Sequence, residues 1–289
     1  METVGKSALI VEGGASRGIW SCGILDYFLH QDFCPFDSFW GVSAGASNLA
    51  AFLAKMPGRN LKVYADYSCR REFLTPGKFL LGGDLMDLDW MWQETLRDLG
   101  IDKQTLGADK RPFFLGVTRR DTGEAQYLTP SPDELAQTMK ASSAVPIIYR
   151  QGVQLGKFRY VDGGVSDAIP VAEAIRRGAT RIMILRSRPA SYRKSPPLIP
   201  ALMKPLLRDA PALIPLMQTR HVRYNRTLDL IANPAHGVQI MQVCPAEGFS
   251  MKRLGVKRAD IEYAYKLGYQ AGEQAIANWQ ILLAAGTER

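Results

Sequence analysis

Ser43 stands in Gly41-Val-Ser-Ala-Gly45, between a strand-like run (Phe36 to Val42) and a helix-like run (Ala44 to Lys55). That setting suits a nucleophilic serine, because a sharp strand-to-helix turn exposes the hydroxyl and the flanking glycines keep side chains from colliding there. A serine hydroxyl needs two further things: a base to take its proton and N–H groups to hold the oxyanion that its attack creates. Both have candidates. Upstream, Ala8-Leu-Ile-Val-Glu-Gly-Gly-Ala-Ser-Arg-Gly18 runs from an apolar strand through a glycine-rich turn into a helix, so the amides of Gly13, Gly14 and Ala15 would point at the strand end. The N–H of Ala44, first in the helix after Ser43, would add to them. Downstream, Tyr160-Val-Asp-Gly-Gly164 delivers Asp162 into an open turn.

The elements that must position these residues alternate. Strands are predicted over 7–12, 36–42, 111–119, 126–129, 181–185 and 238–243, with helices over 19–30, 44–55, 61–70, 87–99, 132–141, 170–177 and 260–285. Strand and helix in turn define an α/β chain, a three-layer α/β/α sandwich with a mostly parallel central sheet, and no linker or repeat divides its 289 residues, so one domain over 1–289 is expected.

A fourth block, Ala141-Ser-Ser-Ala-Val-Pro146, precedes the Asp162 motif. In this order the four blocks resemble the patatin-like phospholipase family over about residues 7 to 185, and most of all its bacterial single-domain members. The resemblance implies a lipid acyl hydrolase acting on phospholipid or lysophospholipid esters through a Ser43–Asp162 dyad, with an acyl-enzyme intermediate and no histidine. The anion loop of the family usually carries three successive glycines where this chain has Gly13-Gly14-Ala15; an alanine held at positive φ would cost about 1 kcal/mol. Arg17 matches the family loop, either steering a phosphate or pinning the loop.

Other readings are open at this stage. Ser43, Asp162 and His236 (or His221) follow the chain order of an α/β-hydrolase triad, although the elbow arrives after a single strand–helix unit. A weakly catalytic lipid-binding protein would also keep these motifs. Gly14 to Ile19 resembles the cofactor loop of short-chain dehydrogenases, but Trp20 replaces its last glycine and no Tyr-x-x-x-Lys follows. Asp167 is a second acid, better suited to capping a helix. No metal or other cofactor is called for, since the four cysteines and three histidines show no ligand spacing.

Charge is unevenly spread. The formal net charge is +8, yet between Arg176 and Arg226 twelve Lys/Arg face the single acid Asp209. Within that block, 195–217 is apolar and proline-punctuated. Proline and charge exclude a membrane span. The segment at about 188–226 reads either as a lid or interfacial patch on anionic lipid or as a buried connection over the sheet. No nucleic-acid motif accompanies the charge. The apolar run Ala8 to Val11 is too short for a secretory signal, so a cytoplasmic protein with peripheral contact at the inner membrane face is expected.

Overall fold

Ser7–Val11 (β1) and Ser38–Val42 (β2) are buried at every position, the pattern of parallel strands covered on both faces. The computed structural model describes residues 4–198 and 203–285. After β1 come α1 (Ile19–His30), β2 and α2 (Ala44–Leu53). A helical cap follows, made of α3 (Arg59–Lys62), which runs on as a π turn to Tyr67, α4 (Pro76–Leu80), α5 (Leu88–Asp98) and α6 (Lys103–Ala108). The chain then forms β3 (Phe113–Arg119), β4 (Ala125–Leu128), α7 (Leu135–Ser143), β5 (Val153–Leu155), β6 (Phe158–Asp162), α8 (Val171–Arg176) and β7 (Arg181–Leu185). The last part holds α9 (Met203–Leu206), α10 (Leu213–Gln218), α11 (Arg220–Ala232), β8 (Gln239–Val243) and α12 (Arg258–Ala285).

The sheet runs β5-β6-β3-β2-β1-β7-β8, with β4 on β3. Its five strands from β3 to β8 are parallel; β4, β5 and β6 are antiparallel additions. Alternation in β1 divides the core. Leu9 and Val11 pack with α1, α2 and Trp279 of α12, while Ala8 and Ile10 face Trp40, Phe114 and the α11 residues Tyr224, Leu228 and Ile231. These are the expected three layers.

Several boundaries differ from the sequence reading. β2 starts at Ser38 because the Asp37 carboxylate takes the N–H groups of Lys6 and Ser7, leaving 36–37 as a clasp at the strand entry. The helix predicted over 61–70 is the short α3 with its π turn. α11 was not anticipated: its stripe of Tyr224, Leu228 and Ile231 has helical spacing, but the arginines between them read as a charged segment. Within 188–226, residues 199–202 lie outside the described ones. Leu207, Ala210 and Leu213 are buried against Val161 and Val165, whereas Leu198 is fully exposed.

Candidate active site

β2 delivers Val42 to the end of the sheet, and the chain reverses at Ser43, whose φ of 56° and ψ of −126° lie outside the ordinary regions for a residue with a side chain. The glycine spacing around it has a steric cause. A Cβ on Gly45 would sit 2.2 Å from the Val11 carbonyl oxygen, and one on Gly41 would sit 2.5 Å from Ala46 Cα. Only glycine at both places lets α2 settle onto the strands and carry Ser43 at its tip. The turn is fastened from α7: the Ser43 N–H donates to Ser142 Oγ at 2.8 Å, and that hydroxyl donates to Gly116 O on β3 at 2.6 Å. Ser142 is buried. Its block is visible in the sequence; its part in holding the Ser43 turn is not.

Asp162 is placed by the same strand. In β3, Gly116 pairs with Val42 and the next residue, Val117, with Asp162, while β4 occupies the opposite edge at both positions. Where β2 leaves the sheet at Ser43, β6 therefore takes its place on β3 and brings Asp162 in. The Asp162 N–H donates to Ala144 O at 2.9 Å, and Oδ1 accepts from Gly164 N at 2.7 Å. The other carboxylate oxygen has no hydrogen-bond partner among the described residues.

The glycine loop closes the third side. A Cβ on Gly13 would lie 2.8 Å from Ser43 Cβ, so the loop backbone is pressed against Ser43. Ala15 has a φ of 52°, the positive value that the glycine-to-alanine departure puts in question. Arg17 is only 7% exposed, and its Nε finds no partner among the described residues. Burial, with Arg188 and Arg253 nearby, lowers its pKa to about 10.

Ser43 opens into two cavities. One, about 30 Å³, is bordered by Gly13, Gly14, Arg17 and Asp162. The other, about 410 Å³, runs under the helical cap, bordered by Ala15 and Ala44 at the Ser43 end and by apolar residues such as Phe73, Met86, Met91 and Trp92. All seven residues singled out in the sequence thus meet at one place. Sequence reasoning missed what completes the small cavity: Glu12, Lys194, Arg220, Tyr224 and Arg253. Only the density of Lys/Arg after Arg176 signalled any of these.

The rival residues lie elsewhere. His30 bonds the Tyr269 hydroxyl, His236 is exposed in the turn after α11, and neither they nor His221 border either cavity. Asp167 accepts from the Tyr127 hydroxyl and the Ile169 N–H, and burial raises its pKa. Among the described residues no group of three or more His, Cys, Asp or Glu could hold a metal ion, and no helix is long and apolar enough to cross a membrane.

The fold thus brings a glycine loop, a serine at a strand-to-helix turn and an aspartate on the antiparallel strand β6 to one small cavity, and the sequence profile of the patatin-like phospholipase family matches residues 9–175. The chain belongs to that family, whose chemistry is lipid acyl hydrolysis in general. A profile of a domain of unknown function matches residues 210–284. The chain is 35% identical over 278 residues to the uncharacterized protein YjjU of Escherichia coli (strain K12), covering 94% of this chain and 78% of that one. Among solved structures it is similar to VipD from Legionella pneumophila, with a TM-score of 0.41 and 12% identity, covering 95% of this chain and 67% of that one.

Proposed function

We propose that the protein is a serine lipid acyl hydrolase that cleaves carboxylic esters of phospholipids or lysophospholipids through a Ser43–Asp162 dyad. One observation carries this reading: Ser43, held in a strained turn, borders both a small polar cavity that contains Asp162 and a large apolar one. The apolar cavity has the size and lining of a ligand pocket and suits an acyl chain. Asp162 accepts the Ser43 hydroxyl proton as Oγ bonds to the ester carbonyl carbon. The carbonyl electron pair moves onto oxygen, facing the amides of Gly13, Gly14, Ala15 and Ala44, with the Arg17 charge beside them. The Ser43 N–H is committed to Ser142 and takes no part. Asp162 returns the proton to the leaving alcohol. Water, deprotonated by the same carboxylate, then attacks the acyl carbonyl carbon; the Oγ–acyl bond breaks, Asp162 passes the proton to Ser43 Oγ, and the fatty acid leaves. That no histidine borders either cavity favours the dyad over a triad.

Such an enzyme must meet its substrate at a lipid surface. We place it on the cytoplasmic side, in peripheral contact with anionic lipid, with the basic segment at about 188–226 as part of that contact. Leu198 within it is 99% exposed, and Leu80 and Leu81 at the end of α4 are 85% and 91% exposed. The test is fluorophosphonate labelling and fatty-acid release from phospholipid vesicles by the wild type, Ser43→Ala, Asp162→Asn and His236→Ala. Loss in the first two variants alone establishes the dyad. Loss in His236→Ala points to a triad, and no labelling of the wild type leaves a lipid binder.

A further inference from the structure

Four cations border the small cavity: Arg17 from the glycine loop, Lys194 after β7, Arg220 at the start of α11, and Arg253 before α12. None of the four closes an ion pair among the described residues. Arg17 and Arg220 each leave a buried Nε without a partner, which is costly for a guanidinium unless something else is bound there. Arg220 lies beside Gly164, close enough that a Cβ there would come within 2.9 Å of its guanidinium. Lys194 Nζ lies 4.8 Å over the Tyr224 ring.

The acids do not balance this charge. Two border the cavity, Glu12 and Asp162, and Glu12 is already engaged by the Tyr224 hydroxyl at 2.6 Å and the Ser187 N–H at 2.7 Å. Four basic side chains against two carboxylates leave an excess of one to two positive charges near pH 7, as Lys194 is neutral or charged, around about 30 Å³. Burial first, then the neighbouring Arg220, Arg253 and Arg17, lower the Lys194 pKa to about 7 against the opposing pull of Glu12, and a bound anion would restore its charge. A phosphate monoester matches the site in charge, carrying about −1.5 to −2 near pH 7, and presents three acceptor oxygens to the guanidinium forks. A choline or ethanolamine head would bring a further cation into a cavity already rich in them.

We propose that Lys194, Arg220 and Arg253, together with Arg17, form a subsite for a phosphate dianion, filled by the bare phosphate head of an acyl glycerolipid whose ester lies at Ser43. Three of the four cations lie outside residues 9–175, and Arg220 and Arg253 lie within the 210–284 domain of unknown function. The role assigned to that domain is to read the head of the substrate while the rest of the chain cleaves its ester. The assignment rests on the acyl hydrolase reading above.

The test compares fatty-acid release from neutral-detergent micelles of three one-chain lipids, with a phosphate monoester head, a phosphocholine head or no head. Alongside the wild type go Arg253→Gln and Lys194→Met; Arg253 is exposed, so its replacement keeps the fold, which melting confirms. The expected result is a wild-type preference for the phosphate monoester and a fall of about 10- to 100-fold in that preference in Arg253→Gln, as for loss of a charge-assisted hydrogen bond. Inorganic phosphate should also raise the melting temperature of Ser43→Ala protein, and not of the Ser43→Ala, Arg253→Gln double variant. Equal release from all three lipids overturns the head-group assignment and leaves the hydrolase standing. Stabilisation by inorganic phosphate without lipid preference also overturns it, in favour of a free-phosphate site. No release from any lipid, with no fluorophosphonate labelling, overturns the hydrolase reading beneath it.

Discussion

Ser142→Ala removes one oxygen that neither attacks nor holds the substrate, yet catalysis should suffer. In the folded protein that oxygen accepts the Ser43 N–H and donates to Gly116 O, both in a buried setting. Alanine leaves the donor without a partner, at about 1–3 kcal/mol. Taking about 2 kcal/mol, and about 2–4 °C per kcal/mol for a chain of this size, the melting temperature should fall by about 4–8 °C. The second effect is local. Ser43 is held at φ 56°, a conformation that stores about 1–3 kcal/mol and persists only when its surroundings impose it. If the Ser142 clamp imposes it, the freed turn relaxes, and regaining the reactive geometry costs about 5- to 150-fold in kcat. The assay is ester hydrolysis together with the rate of fluorophosphonate labelling, both well below the variant's melting temperature. Ser142→Cys, with a weaker acceptor, should fall between the two. A variant that melts early but labels at the wild-type rate refutes the clamp, leaving Ser142 as a contributor to stability alone.

Lys194 gives a pH test. Its folded pKa is about 7 against an ordinary value of 10.5, so between those limits the unfolded chain binds the proton that the folded chain does not. Its contribution to stability is therefore full above pH 10.5 and is lost as pH falls toward 7. The wild type should gain melting temperature relative to Lys194→Met between pH 7 and pH 9, and identical pH slopes would show that Lys194 is not held in this charge cluster. Leu80 and Leu81 give a membrane test. Burying two leucines contributes about 3–6 kcal/mol, so even half insertion predicts at least a roughly tenfold loss of vesicle binding in the Leu80→Asp, Leu81→Asp double variant. Activity on vesicles should fall more than activity on a soluble ester, and equal losses would remove this leucine pair from any membrane role.

What could be read from the chain was what local pattern encodes. The apolar pentapeptide ending at Val11, the glycine pair around Ser43 and the strand into Asp162 each carry their geometry in adjacent residues, and the layered α/β fold follows from their alternation. Ser142 could not be read that way: it lies 99 residues from the amide it holds, and only the register of β3 against β2 and α7 brings them together. The cation cluster is harder still. Arg253 sits among ordinary surface charges, and Arg220 opens a helix whose apolar stripe its arginines conceal, so the convergence of both on the cavity that Asp162 borders is a product of tertiary packing. Of the helical cap over the apolar cavity, the helix over 87–99 is legible in local pattern; that Trp92 on it borders the cavity is a result of packing.

Backbone strain locates the site without any motif. Five residues other than glycine have positive φ among the described ones: Ala15, Asp32, Ser43, Lys55 and Ile147. Asp32 and Lys55 follow the ends of α1 and α2, where a left-handed residue commonly closes a helix. The other three have no such excuse, and all three border the apolar cavity at Ser43. Ile147 is the most telling, since a β-branched side chain at φ 77° is a true outlier. Strain of this kind costs about 1–3 kcal/mol per residue and is retained where the surrounding structure over-determines it. A fold indifferent to this cavity would relax all three turns, and a sequence free to do so would place glycine at each. Their concentration around one serine, beside cations that close no ion pair among the described residues, is what the proposed reaction centre would require: local rules broken together in one place.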